Sequence, residues 1–189
     1  MTSPVMGPVL TTERLLLRQI EDHDLDPHMA LLNTPAVMRY LGGVQPRAVI
    51  AAKHAAARAS FAAEGFGFMI MEERSTGQMV GHCGLRRVVH PLAPNPHDFE
   101  IGWLVREDRW RRGYAYEAMR AVIDWGFSAF AAPQIVALTV ESNVGSWQLM
   151  LKLGMVRRTD LDFIDPAMPP AHNPTIQYAI TRAEWEAQR

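Results

Sequence analysis

Residues 98–140 leave little freedom to the fold around them. A strand pattern at 98–105 runs into the basic residues Arg106, Arg109, Arg111 and Arg112, and then into Gly113. Directly after it, Ala115, Ala118, Met119 and Val122 recur at i, i+3, i+4 and i+7, the period of a helix with one apolar face. That helix extends to about Phe130 and must stop before Pro133, and 135–140 is a β-branched strand. The neighbouring segments mix in the same way. A strand at 15–20 precedes a short helix that Asp24 is placed to cap, with Pro27 in its first turn, and Thr34-Pro35 ends it. Gln45-Pro46 opens an Ala-rich helix that Gly65 closes after Glu64. Stretches 66–72 and 78–89 read as a hairpin around Ser75-Thr76-Gly77, and Pro91, Pro94 and Pro96 stiffen the loop that follows. A helix over 145–153 is closed by Gly154, and strands at 155–164 and 175–180 flank a Pro-rich loop at 165–174. Strands and helices do not alternate regularly, so the pattern predicts an α+β domain with a mixed sheet, not a doubly wound one.

With 189 residues the chain suits one domain over 1–189, its core at about 10–185. A domain of this size buries about 70% of its unfolded surface and needs neither disulfide nor metal. Hydrophobic residues at 48% and charged residues at 21% exclude a disordered chain or a fibre. The net charge of −1 supplies no field to gather nucleic acid or an anionic membrane, so neither is expected as a partner. No apolar run approaches the roughly 18 residues of a membrane helix. The start lacks the basic residues of a signal peptide and is broken by Pro4 and Pro8, and the single Cys83 suits a reducing compartment; a cytoplasmic location is expected.

The glycine loop before the long helix is a candidate anion site. First-turn amides of a helix are unpaired and carry partial positive charge, and a glycine lets a phosphate approach them closely. Arg109, Arg111 and Arg112 add charge where basic residues oppose the helix dipole, a placement that suits a diphosphate. The same residues also fit a solvated charge run beside an ordinary loop. No Gly-Lys-Ser or Gly-Lys-Thr follows, and three spaced glycines are missing, which excludes the triphosphate and dinucleotide loops.

Several motifs in one order carry a resemblance. They are Thr12-Glu13-Arg14-Leu15-Leu16-Leu17-Arg18; Thr76-Gly77 with Gly81 and Gly84-Leu85; Phe99-Glu100-Ile101-Gly102-Trp103; Trp110-Arg111-Arg112-Gly113-Tyr114-Ala115-Tyr116-Glu117-Ala118; and Asn143 with Ser146 and Lys152-Leu153-Gly154. From Leu10 to Trp185 the chain resembles the GNAT acyltransferases, in the branch of the ribosomal-protein N-terminal acetyltransferases. The resemblance implies a twisted, mostly antiparallel sheet of about seven strands, splayed between the fourth and fifth. It implies acetyl-CoA as co-substrate, with no metal, and a primary amine as acceptor. The CoA diphosphate would rest on the backbone of Trp110, Arg111, Arg112, Gly113, Tyr114 and Ala115. The pantetheine arm would bond to the backbone of Trp103, Leu104 and Val105, with the parallel strand 135–140 splaying to admit it. Asn143 would hold the arm or position the thioester, or simply cap the helix after it.

Acetyl transfer to an amine needs a proton acceptor and, for the departing thiolate, a proton. Glu100 stands in an apolar strand between Phe99 and Ile101, and burial makes a carboxylate a better base. The family places its proton-accepting Glu on this strand; a structural Glu paired with an Arg across the sheet is the competing reading. Many relatives carry a Tyr acid two residues before Lys-Leu-Gly, where this chain has Met150. Ser146 is the family-consistent hydroxyl in its place, and a thiol with pKa about 8.5 also leaves without help. Trp110 stands where the wider superfamily prefers Gln or Arg, as it does in many members of this branch.

Cys83 lies in a strand without a second Cys and reads as core, and the seven His include no i, i+4 helical pair. His90 and His97 bracket the Pro-rich loop, near the acceptor or in solvent. The acceptor is expected to be a peptide N-terminus or a small-molecule amine, attacked directly in a ternary complex; edge strands leave room for a homodimer. The alternative is an acyl-CoA sensor of the same fold without turnover, supported by Met150.

Overall fold

The computed structural model describes residues 8–188; most of the amino-terminal stretch read above for a targeting signal lies outside them, at 1–7. The strands are β1 (Leu10–Thr11), β2 (Leu15–Gln19), β3 (Phe68–Glu73), β4 (Met79–Arg87), β5 (Phe99–Val105), β6 (Gln134–Val140), β7 (Val156–Arg157) and β8 (Thr175–Thr181). They form one sheet in the order β1-β2-β3-β4-β5-β6-β8-β7. Every neighbouring pair is antiparallel except β5 and β6, which run parallel. The helices are α1 (Leu25–Leu31), α2 (Arg47–Glu64), α3 (Tyr114–Ala129), α4 (Val144–Lys152) and α5 (Arg182–Glu186). This is the α+β sheet expected, with one strand more than the sequence shows: Leu10 and Thr11 pair with Leu17 and Leu16.

Local signals set the helix boundaries. Pro46 is the N-cap of α2, and Gly65 ends it at φ +80°, a left-handed value that costs a residue with a Cβ. Gly154 closes α4 in the same conformation. On one face of the sheet, alternate residues such as Leu17, Met69, Cys83, Leu85, Ile101 and Ile135 are buried. Over them α3 lays Ala118, Met119, Val122, Ile123 and Phe127. Truncating one of these larger side chains to Ala removes about 2–5 kcal/mol. Cys83 belongs to this core, and burial pushes its thiol well above the ordinary range, which disarms it as a nucleophile.

The other face has two separate covers. Helices α1 and α2 lie over β2 to β4, around Ile20, Leu32, Ala57, Ile70 and Met79. Across β6 and β8 the loop 88–98 packs Val88 and Ala93 on Val136, Ala179 and Phe163. It is pinned by a reciprocal amide pair, Asn95 Nδ2 to Gln177 Oε1 at 3.1 Å and Gln177 Nε2 to Asn95 Oδ1 at 3.0 Å. Between the covers lies β5 with Glu100, Gly102 and Leu104.

One strand is much shorter than expected. Instead of 155–164, β7 holds two residues, a 3₁₀ turn intervenes at Thr159–Leu161, and Phe163 rejoins β8 opposite Thr175. Side chains interrupt the ladder here. Asp162 accepts both Arg157 nitrogens and the backbone N–H of Gln177, while Asp160 takes Arg158.

Candidate active site

The parallel pairing of β5 with β6 covers two residues, Phe99 with Ile135 and Glu100 with Val136, and then stops. Both strands keep their outer partners to the end: β5 stays on β4 through Val105, and β6 stays on β8 through Val140. A wedge therefore opens between them toward their carboxyl ends. Arg106 N–H donates to Val80 O, and a Cβ on Gly81 would meet Leu104 O at 2.2 Å. Main-chain groups alternate sides along a strand, so those of Leu104 face β4 while those of Ile101, Trp103 and Val105 face the wedge. The backbone of Leu104, expected at the pantetheine arm with those of Trp103 and Val105, thus faces β4 and not the wedge. The Val105 carbonyl is already engaged by the Trp110 indole N–H at 2.7 Å.

At the open end of the wedge stands the start of α3. Gly113 is its N-cap at φ +82°, no side chain caps it, and the first helical bond runs from Glu117 N–H to Gly113 O. The amides of Tyr114, Ala115 and Tyr116 are thus left forward. Arg111 also adopts positive φ, 59°, so the two left-handed residues bracket Arg112 and curl the loop into a concave turn of N–H groups. Arg111 and Arg112 are exposed. Arg109 differs from its neighbours. It is turned inward, its Nη2 3.7 Å from Glu73 and its buried Nε without a partner among the described residues.

A support under this loop escaped the sequence reading. Glu117 in the first turn of α3 accepts from Thr12 Oγ1 at 2.5 Å, Arg14 N–H at 2.7 Å and Arg14 Nε at 2.6 Å. Arg14 Nη1 donates to Arg112 O at 3.0 Å, and its guanidinium lies 4.5 Å from the Tyr114 ring centre. The Tyr114 hydroxyl donates to Glu73. The Tyr114 and Thr76 bonds hold Glu73 below the ordinary carboxylate range, and the Thr12 and Arg14 bonds do so for Glu117 against the cost of burial. Thr12 and Arg14 stood out in the sequence as part of a motif, but their partner lies over 100 residues away.

Glu100 is buried on the face between the two covers. Its cross-strand neighbour is Arg86, whose Nη2 reaches Oε1 at 2.6 Å. The apolar strand thus has a guanidinium opposite its carboxylate, the pairing that competed with the base role, and Oε2 is left without a protein partner among the described residues. Phe68 packs over Gly102, where a Cβ would sit 2.9 Å from the ring. Asn143 holds the N-cap position of α4 without capping it; its Nδ2 donates to Thr139 Oγ1 on β6 at 3.0 Å. Ser146 is half-buried in the first turn of α4, and Met150 is fully inside the core. Two segments reach the loop at 165–174: the Tyr40 ring lies 6.2 Å from that of His172, tilted at 59°, and His90 reaches Asp165 at 3.3 Å. His97 is exposed on the Pro-rich loop.

A third cluster lies under α1 and α2. His54 Nε2 is 2.9 Å from His28 Nδ1, and the ring of His82 sits 5.4 Å from that of His28. Burial, together with the neighbouring cations, pulls all three below the ordinary imidazole value, His28 to about 4. No group of three or more His, Cys, Asp or Glu among the described residues is arranged to hold a metal ion. No described helix is long and apolar enough to cross a membrane.

A splayed parallel pair with an uncapped glycine helix start at its mouth defines a class of acyl-CoA transferases. A family profile described as the acetyltransferase (GNAT) domain matches residues 14–156, and the chain belongs to that family. Over 154 residues it is 34% identical to the uncharacterized N-acetyltransferase YoaA of Bacillus subtilis, covering 79% of this chain and 83% of that one. The crystal structure of an acetyltransferase from Agrobacterium tumefaciens superposes with TM-score 0.75 at 25% identity, over 96% of this chain and 99% of the other. The spermidine N-acetyltransferase of Vibrio cholerae, solved with CoA and spermine, shares the fold at TM-score 0.71 and 14% identity, over 92% and 98% of the chains. The chemistry of the family is acetyl transfer from acetyl-CoA to an amine.

Proposed function

We propose that this chain is an acetyl-CoA-dependent N-acetyltransferase of the ribosomal-protein N-terminal acetyltransferase branch, acting on a primary amine by direct attack in a ternary complex. The observation that carries the reading is the β5–β6 pairing that ends after Glu100 and Val136, with the bare amides of α3 at the open end. The wedge supports a role for the main chain of Trp103 and Val105 as the edge that binds the pantetheine arm. Gly113, Tyr114 and Ala115, with exposed Arg111 and Arg112, hold the diphosphate, and Trp110 fixes the head of that loop. Acetyl-CoA supplies an activated thioester carbonyl. Glu100 accepts the amine proton through Oε2, directly or through a water, while Arg86 fixes Oε1. Asn143 positions the arm at the end of β6, and the Ser146 hydroxyl passes a proton to the thiolate as it takes one from solvent.

The test is CoA release from acetyl-CoA against peptides with free Ala, Ser or Met N-termini and, beside them, a panel of small amines. Turnover with a mass-verified N-acetyl product supports the reading. Tight acetyl-CoA binding with no product from either panel overturns it in favour of a sensor.

A further inference from the structure

The band of β5 left open between the two covers is bordered by Arg86, which has donors to spare beyond its bond to Glu100, and by Lys53, which has no carboxylate of its own among the described residues. Along α2 the buried stripe is Ile50, His54 and Ala57. Helical spacing puts Lys53 at the edge of that stripe, on the opposite flank from Arg58, which is tied to Asp22. Lys53 is exposed and has no hydrogen bond or ion pair among the described residues. Desolvation and the Arg86 guanidinium both pull its ammonium below the ordinary value, and it in turn acts on His28 and His82. Geometry gives its side of the sheet. Its neighbour His54 packs on His82 of β4 with ring centroids 6.2 Å apart, and Phe68 lies between His82 and Arg86, at 5.0 and 5.7 Å. The flank opposite Arg58 and Asp22 is the one toward β5. Arg86 spends one of its five N–H donors on Glu100 and keeps about half of its side chain exposed.

Other charges near the opening do not offset this pair. Asp165 is engaged by His90 and by the backbone N–H of Ala167. Asp98 is taken by Gln134 and Asn95. Arg39, beside Tyr40 on the facing loop, is another exposed cation. Glu141 is well exposed and lies 3.8 Å from Arg157. Leu41, Val44, Leu92 and Ile164, on the loops that follow α1, β4 and β7, are exposed apolar side chains. A polycation would meet two fixed positive charges beside the single carboxylate it needs for chemistry. An amine carrying its own oxyanion would instead find two free donors.

We infer that the acceptor is a small amine bearing one oxyanion, a carboxylate or a phosphate, which Lys53 and the free edge of Arg86 receive while Glu100 faces the amine. This rests on the transferase reading and narrows its acceptor. Arg and Lys are suited to such a group, the guanidinium by its fork of donors and the ammonium as a point charge.

The experiment compares acetylation of L-amino acids with that of their decarboxylated amines, of O-phosphoethanolamine with that of ethanolamine, and of spermidine. Wild type, Lys53→Met and Lys53→Arg are assayed. In parallel, the N-acetylated forms are titrated calorimetrically into the CoA-loaded protein. The expected result is a kcat/KM at least about tenfold higher for the anionic member of a pair, since each tenfold is about 1.4 kcal/mol. Lys53→Met should remove most of that preference through KM with kcat nearly unchanged, and Lys53→Arg should restore it. Whether the amino acids or O-phosphoethanolamine lead identifies the oxyanion. Equal or faster turnover of the decarboxylated amines, or of spermidine, overturns the inference and leaves the transferase standing. Lys53-dependent binding of the anionic ligands without any CoA release upholds the anion site and overturns the transferase. Neither turnover nor binding overturns both.

Discussion

Lowering the pH from 7.5 to 5 should destabilise this protein by an amount that three packed imidazoles set together, of which His28 can be worked through in numbers. His28 is buried against His54, with Lys53 nearby and Asp24 acting in the opposite sense. Its folded-state pKa is held at about 4, against 6.5 for a free imidazole. Between those values the unfolded chain binds a proton that the folded chain refuses, so stability rises with pH there. The contribution is complete above pH 6.5, is lost as the pH falls through the window, and levels off below about 4. A two-state linkage calculation gives a loss of about 2 kcal/mol at pH 5 and about 3 kcal/mol by pH 4. His54 and His82 shift the same way and add to it. With an m-value of about 2 kcal/mol/M in urea, the share of His28 alone should lower the midpoint by about 1 M between pH 7.5 and 5. Urea unfolding followed by Trp fluorescence measures this directly. His28→Gln, which keeps a hydrogen-bonding group beside His54, should recover the share that His28 supplies and leave the part due to His54 and His82. A midpoint that does not move with pH in wild type, or one that moves equally in His28→Gln, would refute the argument.

Three further outcomes test the site. Gly113→Glu should abolish acetyl-CoA binding by calorimetry, because it puts a carboxylate and a strained φ of +82° at the bare helix start. Gly113→Ala, with the strain of about 1–2 kcal/mol alone, should weaken binding and not eliminate it; retained binding in the Glu variant would place the diphosphate elsewhere. Glu100→Gln should lower kcat about a hundredfold while the acetyl-CoA Kd stays the same, within the usual range for a general base, and an unchanged pH–rate profile would remove Glu100 from that role. Ser146→Ala should slow turnover about tenfold, less than a typical acid because a thiolate leaves readily. If kcat is unaltered, the hydroxyl has no part in the chemistry.

What could be read along the chain was whatever neighbouring residues decide among themselves. Pro46 and Gly65 bound α2 because one presets φ for a helix start and the other tolerates the left-handed turn that ends it. The apolar stripe of α3 and the glycine before it are likewise local, and both stand where the chain shows them. The β7 expectation failed because Met155 to Ile164 is apolar enough for a strand, yet Arg157, Arg158, Asp160 and Asp162 find each other and Gln177 instead of continuing the ladder.

Sequence alone therefore determined the type of most elements, the glycine helix start and the carboxylate at 100. Tertiary structure decided which groups those features meet. Register across β4 and β5 put Arg86 against Glu100, and the end of the β5–β6 pairing opened the wedge and turned Leu104 away from it. Contacts across more than 100 residues tied Arg14 to Glu117 beneath the loop, and the packing of α1 and α2 on β4 gathered His28, His54 and His82. Distance in sequence hides such partners because pairing energy depends on where the chain returns, and only the closed sheet fixes that.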